Sequence, residues 1–300
     1  MTSVKLSALV LALLILAPAA LFARDILPVV SADWLERNLK DPKLVVLDIR
    51  KPEEYRAGHV PGAVNVYYGT WAVKTFDFDN ELPHDDDLTD IINGAGIPAG
   101  STVVVVGRAD NLGELASVTR VAWTLEYAGF ENVALLDGGF NAWEAEKKVV
   151  SLEVVKPKHA NNTFMFKPGI RANEDYLLKQ REKAIVLDTR LPDVFFGVAK
   201  AENVERPGRI KGALNLPSAW MFTKKGTYMP ADDLRAIAEG VIGKDSGREI
   251  IIYCDTGKLA STWWFVLSEM LDYKNVKMYD GSFQEFSQNP NLPMEKYSWR

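Results

Sequence analysis

The 300-residue sequence contains one cysteine, Cys254. A single cysteine closes no intramolecular disulfide and cannot furnish a multi-cysteine zinc site or an iron–sulfur cluster. It is therefore either a buried apolar filler or a working thiol. An excess of positive charge is also missing: 35 Lys and Arg stand against 40 Asp and Glu, a formal net charge of -5. Nothing in that balance draws the chain to nucleic acid. After residue 23, no apolar run approaches the roughly 18 residues that span a bilayer. With 47% hydrophobic and 25% charged residues, the composition is globular, neither disordered nor collagen-like, and the length suits two domains.

The first 23 residues read as an address. Lys5 precedes an apolar stretch, 6–17, and small residues lead through Pro18 to Ala23 before Arg24 and Asp25. This pattern predicts a secretory signal peptide, residues 1–23, cleaved after Ala23, with Leu21 larger than usual at the third position before the cut. The alternative is an uncleaved anchor helix over 6–23, against which Pro18 argues. The expected destination is the periplasm or beyond, with membrane contact only if the segment is retained.

The remainder is a repeat. Leu44-Val-Val-Leu-Asp48-Ile-Arg50 returns as Ile185-Val-Leu-Asp188-Thr-Arg190, and Gly58-His-Val-Pro-Gly62-Ala-Val-Asn65 as Gly208-Arg-Ile-Lys-Gly212-Ala-Leu-Asn215. Thr102-Val-Val-Val-Val-Gly107 returns as Glu249-Ile-Ile-Ile-Tyr-Cys254, and Leu135-Leu-Asp137-Gly-Gly-Phe140 as Met278-Tyr-Asp280-Gly-Ser-Phe283. Four blocks in one order mark a duplicated domain. The runs 44–47, 103–106, 185–187 and 250–253 are short, continuous and β-branched, as parallel strands covered on both faces are. Helical patterns such as 114–127 and 258–271 lie between them. The expected fold is α/β, with two tandem domains (25–150 and 169–300), each a mainly parallel sheet flanked by helices, joined by an irregular linker, 151–168.

Cys254 follows a predicted strand and precedes a predicted helix. In open α/β sheets, ligands bind beyond the carboxyl ends of strands, where loop and helix amides favour negative charge. A thiol there is expected to have a lowered pKa. Gly257 lets the loop curl with its amides inward. The matching place in the first copy is Gly107, so only the second copy carries a thiol.

These motifs, with Asp137-Gly-Gly-Phe-x-x-Trp143, resemble the tandem-domain rhodanese family of sulfurtransferases over essentially all of residues 25–300. The resemblance implies an inactive first domain, an active second one and a cleft between them. It implies that Cys254 cycles between thiolate and persulfide within a loop formed by Cys254, Asp255, Thr256, Gly257, Lys258 and Leu259. Related phosphatases use a longer loop ending in arginine, whereas Leu259-Ala-Ser261 has none, which argues against phosphatase activity. The implied partners are a small sulfur donor and a thiophilic acceptor such as cyanide, a thiol or a protein thiol, with no metal or cofactor. Thiosulfate-specific members carry two basic residues after the cysteine, where Asp255 and Thr256 stand here; Lys258 restores one positive charge. Mercaptopyruvate-specific members have Gly-Ser-Gly there, partly echoed by Thr256-Gly257, and a pair of arginines, of which only Arg190 has a match. The expectation leans to thiosulfate, with a 3-mercaptopyruvate enzyme, a protein persulfide carrier and a non-catalytic binding or sensory module as alternatives.

Other candidates have plainer readings. Asp48 and Asp188 are expected to hold loops, and Arg190 either binds an anion or makes a structural ion pair. His59, which some mercaptopyruvate-specific relatives use beside the cysteine loop, is read as structural, as are Trp263 and Trp264. The acidic stretches 77–81 and 84–87 lack the pattern of a calcium loop and read as solvated. Trp71 and Trp220, after matched strands, are placed to line the cleft.

Overall fold

The computed structural model describes residues 24–299, so the predicted signal segment, 1–23, lies outside the described residues. Strands β1 (Val29–Val30), β2 (Leu44–Asp48), β3 (Val64–Asn65), β4 (Thr102–Val106) and β5 (Val133–Leu136) form a first sheet in the order β1-β5-β4-β2-β3. The second half adds β6 (Arg171–Ala172), β7 (Ile185–Asp188), β8 (Arg209–Ile210), β9 (Leu214–Asn215), β10 (Ile250–Tyr253), β11 (Val276–Tyr279) and β12 (Met294–Glu295). Its main sheet runs β6-β11-β10-β7-β9, the same order under the repeat, while β8 and β12 pair antiparallel on their own. Every neighbour in the two large sheets is parallel. The fold is the expected one: two α/β domains.

The helices are α1 (Ala32–Asn38), α2 (Pro52–Ala57), α3 (Asp85–Gly94), α4 (Leu112–Tyr127), α5 (Gly139–Ala145), α6 (Glu174–Gln180), α7 (Pro192–Phe196), α8 (Ala231–Ile242), α9 (Ala260–Phe265) and α10 (Ser282–Phe286). The pattern over 258–271 predicts one helix, but α9 is α-helical only to Phe265 and widens into a π-helical turn over Val266–Met270. None of the described helices is long and apolar enough to cross a membrane.

Strand alternation builds the cores. Val103 and Val105 of β4 point into one cluster, and Val104 and Val106 into another on the opposite face. Likewise Ile250 and Ile252 of β10 face that first cluster, whereas Ile251 and Tyr253 face a third. The first cluster holds residues of both domains and is the interface between them. Across it α4 packs on α9, with Thr119 Oγ1 2.7 Å from Ser261 Oγ. The linker runs along the first domain rather than through solvent. Ala160 N–H donates to the Asn93 carbonyl at 2.8 Å, Phe164 packs on Phe130, and Phe166 packs on Tyr127.

Each domain also lends a strap to the other. Val73 and Glu81 bridge antiparallel in the first domain, as do Phe222 and Tyr228 in the second. Leu82 N–H donates to Asp280 at 3.3 Å, and Tyr228 N–H donates to Asp137 at 2.9 Å. The two aspartates occupy matching places in the repeat, so the straps are exchanged in both directions.

Candidate active site

β10 is apolar and wholly buried, so its carboxyl end delivers the next residue, Cys254, to the domain interface. Cys254 is 1% exposed, and the loop after it curls back around the sulfur. Gly257 makes the curl possible. Its φ of +76° lies in the left-handed region, and a Cβ there would sit 2.8 Å from both Arg120 Nη1 and the Asp280 carbonyl oxygen. The start of α10 ties down the loop's own carbonyls: Phe283 N–H donates to Cys254 O at 3.0 Å and Gln284 N–H to Asp255 O at 2.9 Å. At the matching place in the first domain, a Cβ on Gly107 would meet Val118 Cγ2 at 2.6 Å, so that site has no room for a thiol.

The thiol itself departs from expectation. Burial, reinforced by the Asp255 carboxylate, pushes it up to about 11, while the N–H groups of Ala260, Thr256 and Leu259 pull the other way. The expected amides are in place. They are outweighed because the interface strips the sulfur of water. Burial thus favours the protonated thiol.

Of the two readings of Arg190, the contacts show the ion pair. It is 1% exposed, and its guanidinium is committed to Asp188 (2.5 Å), the Gly208 carbonyl (2.8 Å) and Asp255 (3.1 Å), over the Phe283 ring. Arg50 in the thiol-free domain makes the same clamp to Asp48 (2.6 Å) and the Gly58 carbonyl (2.8 Å), over Phe140. A contact present in both copies cannot be specific to sulfur. The Asp-x-Arg motif therefore holds the sheet edge to the following loop, and Arg190 is a structural ion pair. Asp255 follows it: its carboxylate accepts from Arg190. Burial raises the Asp255 pKa, and Arg190 opposes that rise.

Lys258 makes no ion pair among the described residues, and its ammonium lies 4.4 Å from the Tyr68 ring centre. Burial pulls its pKa down, with Glu114 and Cys254 pulling back. It borders a cavity of about 100 Å³ otherwise lined by first-domain residues, among them Arg50, Glu54, Tyr68, Arg108 and Glu114. Leu259 turns its carbonyl to Ser218 Oγ at 3.0 Å and its N–H toward the sulfur.

What the sequence did not reveal is the cover. The stretch 77–81, read as a solvated acidic loop, is the strap over the cysteine loop. Asp79 exchanges two hydrogen bonds with Gln284 (3.0 and 2.9 Å), and Asn80 Nδ2 donates to Thr256 Oγ1 at 3.1 Å. Arg120, fully buried, reaches from α4 to Asp280 at 2.6 Å and to the Asn80 carbonyl at 2.7 Å. No motif marks Tyr68, Asn80 or Arg120; only the repeat, by placing the straps in register, could have drawn attention to them. Residues 84–87 cap and begin α3 beside a larger cavity of about 610 Å³ on the strap's other side, and no described cluster could hold a metal ion.

The remaining candidates settle simply. His59 is buried, stacked on Tyr55, with both ring nitrogens near backbone carbonyls (Tyr55 at 2.7 Å, Glu153 at 3.0 Å), and serves the linker. Asp48 and Asp188 hold loops as expected, and Trp263 and Trp264 are core. Trp71 does not line the cleft: it is fully buried, its indole N–H given to the Val66 carbonyl, while Trp220 is 48% exposed.

The Rhodanese-like domain family matches residues 31–146 and 173–289. The chain is 32% identical over 279 residues to a Mycolicibacterium smegmatis protein named "Putative thiosulfate sulfurtransferase", covering 89% of this chain and 96% of that one. It is 30% identical over 282 residues to the Thermus thermophilus "Sulfur carrier protein TtuD", with the same coverage. Among solved structures it resembles YnjE (TM-score 0.80, 23% identity, 90% of this chain and 68% of that chain). It also resembles EanB in complex with ergothioneine (TM-score 0.79, 21% identity, 90% and 70%). At those identities the two structures speak to the fold alone.

Proposed function

The chain belongs to the rhodanese family, and from that premise we propose that it is a sulfurtransferase moving a sulfane sulfur through a Cys254 persulfide. The observation that carries the reading is the placement of Cys254 at the carboxyl end of β10, with two loop amides and the first amide of α9 facing its sulfur. Cys254 gives up its proton as it bonds to the outer sulfur of the donor. With thiosulfate, sulfite leaves with the electron pair of the broken S–S bond and takes that proton. The amides of Thr256, Leu259 and Ala260 stabilise the charge on sulfur that burial penalises. Cyanide or a thiol then attacks the outer sulfur and restores Cys254.

Thiosulfate, or a sulfane-sulfur anion like it, is the donor this site suits. Arg190 is spent on Asp188 and Asp255, whereas Lys258, with no ion pair among the described residues, is a point charge for a compact anion. A steady-state assay with cyanide tests this: turnover with thiosulfate should exceed that with 3-mercaptopyruvate, and Lys258→Met should raise the KM for thiosulfate. Faster turnover with 3-mercaptopyruvate would reverse the assignment. The similarity to a sulfur carrier protein favours a second reading, delivery to a protein thiol. It would show as a persulfide that forms readily but turns over slowly on cyanide.

A further inference from the structure

Asn80 stands in the thiol-free domain, yet its side chain is the one from the straps that reaches the cysteine loop. Its φ of +60° places it in the left-handed region, tolerable for asparagine but strained for most residues. Three contacts hold it there. Its carbonyl accepts from Arg120 Nη2 at 2.7 Å, its Oδ1 accepts from the Tyr68 hydroxyl at 2.7 Å, and its Nδ2 donates to Thr256 Oγ1 at 3.1 Å. With Oδ1 accepting from the Tyr68 hydroxyl, Nδ2 is the end of the amide that faces Thr256. Thr256 in turn sends its backbone N–H toward the Cys254 sulfur. Its own hydroxyl proton has no acceptor among the described residues.

We propose that Asn80 is a positioning residue for sulfur transfer, supplied across the domain interface, which holds Thr256 so that its N–H faces Cys254 and its hydroxyl proton remains free for the donor anion. This rests on the sulfurtransferase reading and deepens it. It assigns the first domain a part in the reaction although that domain has no room for a thiol. The repeat supplies the control. The second domain's strap crosses the equivalent loop of the first, where Gly226 lies against Ala109, but there no strap side chain hydrogen-bonds to that loop among the described residues. Backbone exchange of straps is thus common to both sites, and the side-chain bond is confined to the site with the thiol.

The test is a double-mutant cycle on the full chain with Asn80→Gly, which suits the left-handed backbone, and Thr256→Val. Asn80→Asp serves as the isosteric control that keeps the acceptor for Tyr68 and loses the donor. Asn80→Gly and Asn80→Asp should each lower kcat with thiosulfate about tenfold at an unchanged Tm, the scale of one lost hydrogen bond at a reacting group. Asn80→Gly should add less than about twofold in the Thr256→Val background. Equal losses in both backgrounds, or native kcat in Asn80→Gly, would overturn the proposal. The same variants are assayed for Cys254 alkylation by iodoacetamide, whose rate should change with Asn80→Gly only when Thr256 is present. A native chain that transfers no sulfur would sink the sulfurtransferase reading instead, and the alkylation cycle would still decide whether Asn80 acts through Thr256.

Discussion

At the scale of the residue, Gly257 and Cys254 carry the argument in opposite directions. Gly257 was legible: a glycine in a loop after a strand reads as a curl, and the positive φ with Arg120 and Asp280 closing on its missing Cβ makes it obligatory. Gly257→Ala should cost on the order of 1–3 kcal/mol in denaturant unfolding, the price of a side chain forced into that backbone region. A stability within 0.5 kcal/mol of native, on the order of an ordinary surface change, would show that the loop relaxes freely. The ionisation of Cys254 was not legible, because amide geometry is local whereas the burial of the sulfur comes from a core built by both domains. With the thiol at about 11, its reaction with iodoacetamide should quicken about tenfold per pH unit through pH 9, where a free cysteine, titrating near ~8.5, levels off. A plateau below pH 8 would mean a sulfur ionised at rest. The sign for folding agrees: a proton held more tightly in the folded chain gives stability that is present below the ordinary thiol pKa and lost as pH rises toward 11.

At the scale of the element, the strands were the most legible part of the chain. Continuous β-branched runs predict strands covered on both faces, and β4 and β10 feed alternate residues to two cores each. The Asp-x-Arg motif was visible but ambiguous, since sequence cannot tell a buried clamp from an anion site. Its duplication favours the clamp once both copies are seen to share the aspartate and glycine-carbonyl contacts, Arg190 adding a bond to Asp255. Arg50→Lys and Arg190→Lys should therefore destabilise the protein by similar amounts, on the order of 1.5–3 kcal/mol each, the worth of a charge-assisted hydrogen bond. Neither should raise the KM for thiosulfate by more than about twofold, since each guanidinium is committed to its own Asp and Gly partners. A large KM effect confined to Arg190→Lys would restore that residue to the substrate. The straps were illegible for a different reason. The straps are held by partners in the other domain, so no local propensity announces them.

At the scale of the molecule, two domains share one core and exchange straps, with a buried ion pair from Arg120 to Asp280 across the interface. Such a chain should unfold as one unit, although tandem domains often separate. Far-UV and near-UV circular dichroism are expected to give coincident thermal transitions; two resolved transitions would mean that the shared core contributes little. The same closure explains why a single cysteine suffices. One domain supplies the sulfur-bearing loop, and the other has its matching position filled by Val118 and covers that loop with its strap.

Intact-mass spectrometry shows whether Cys254 carries the transferred sulfur. Reduced, folded protein incubated with thiosulfate should gain the mass of one sulfur atom, lose it on adding cyanide, and show no gain as Cys254→Ser. A native protein that stays at its starting mass with thiosulfate and with 3-mercaptopyruvate, or a Cys254→Ser variant that still gains sulfur, would contradict that role.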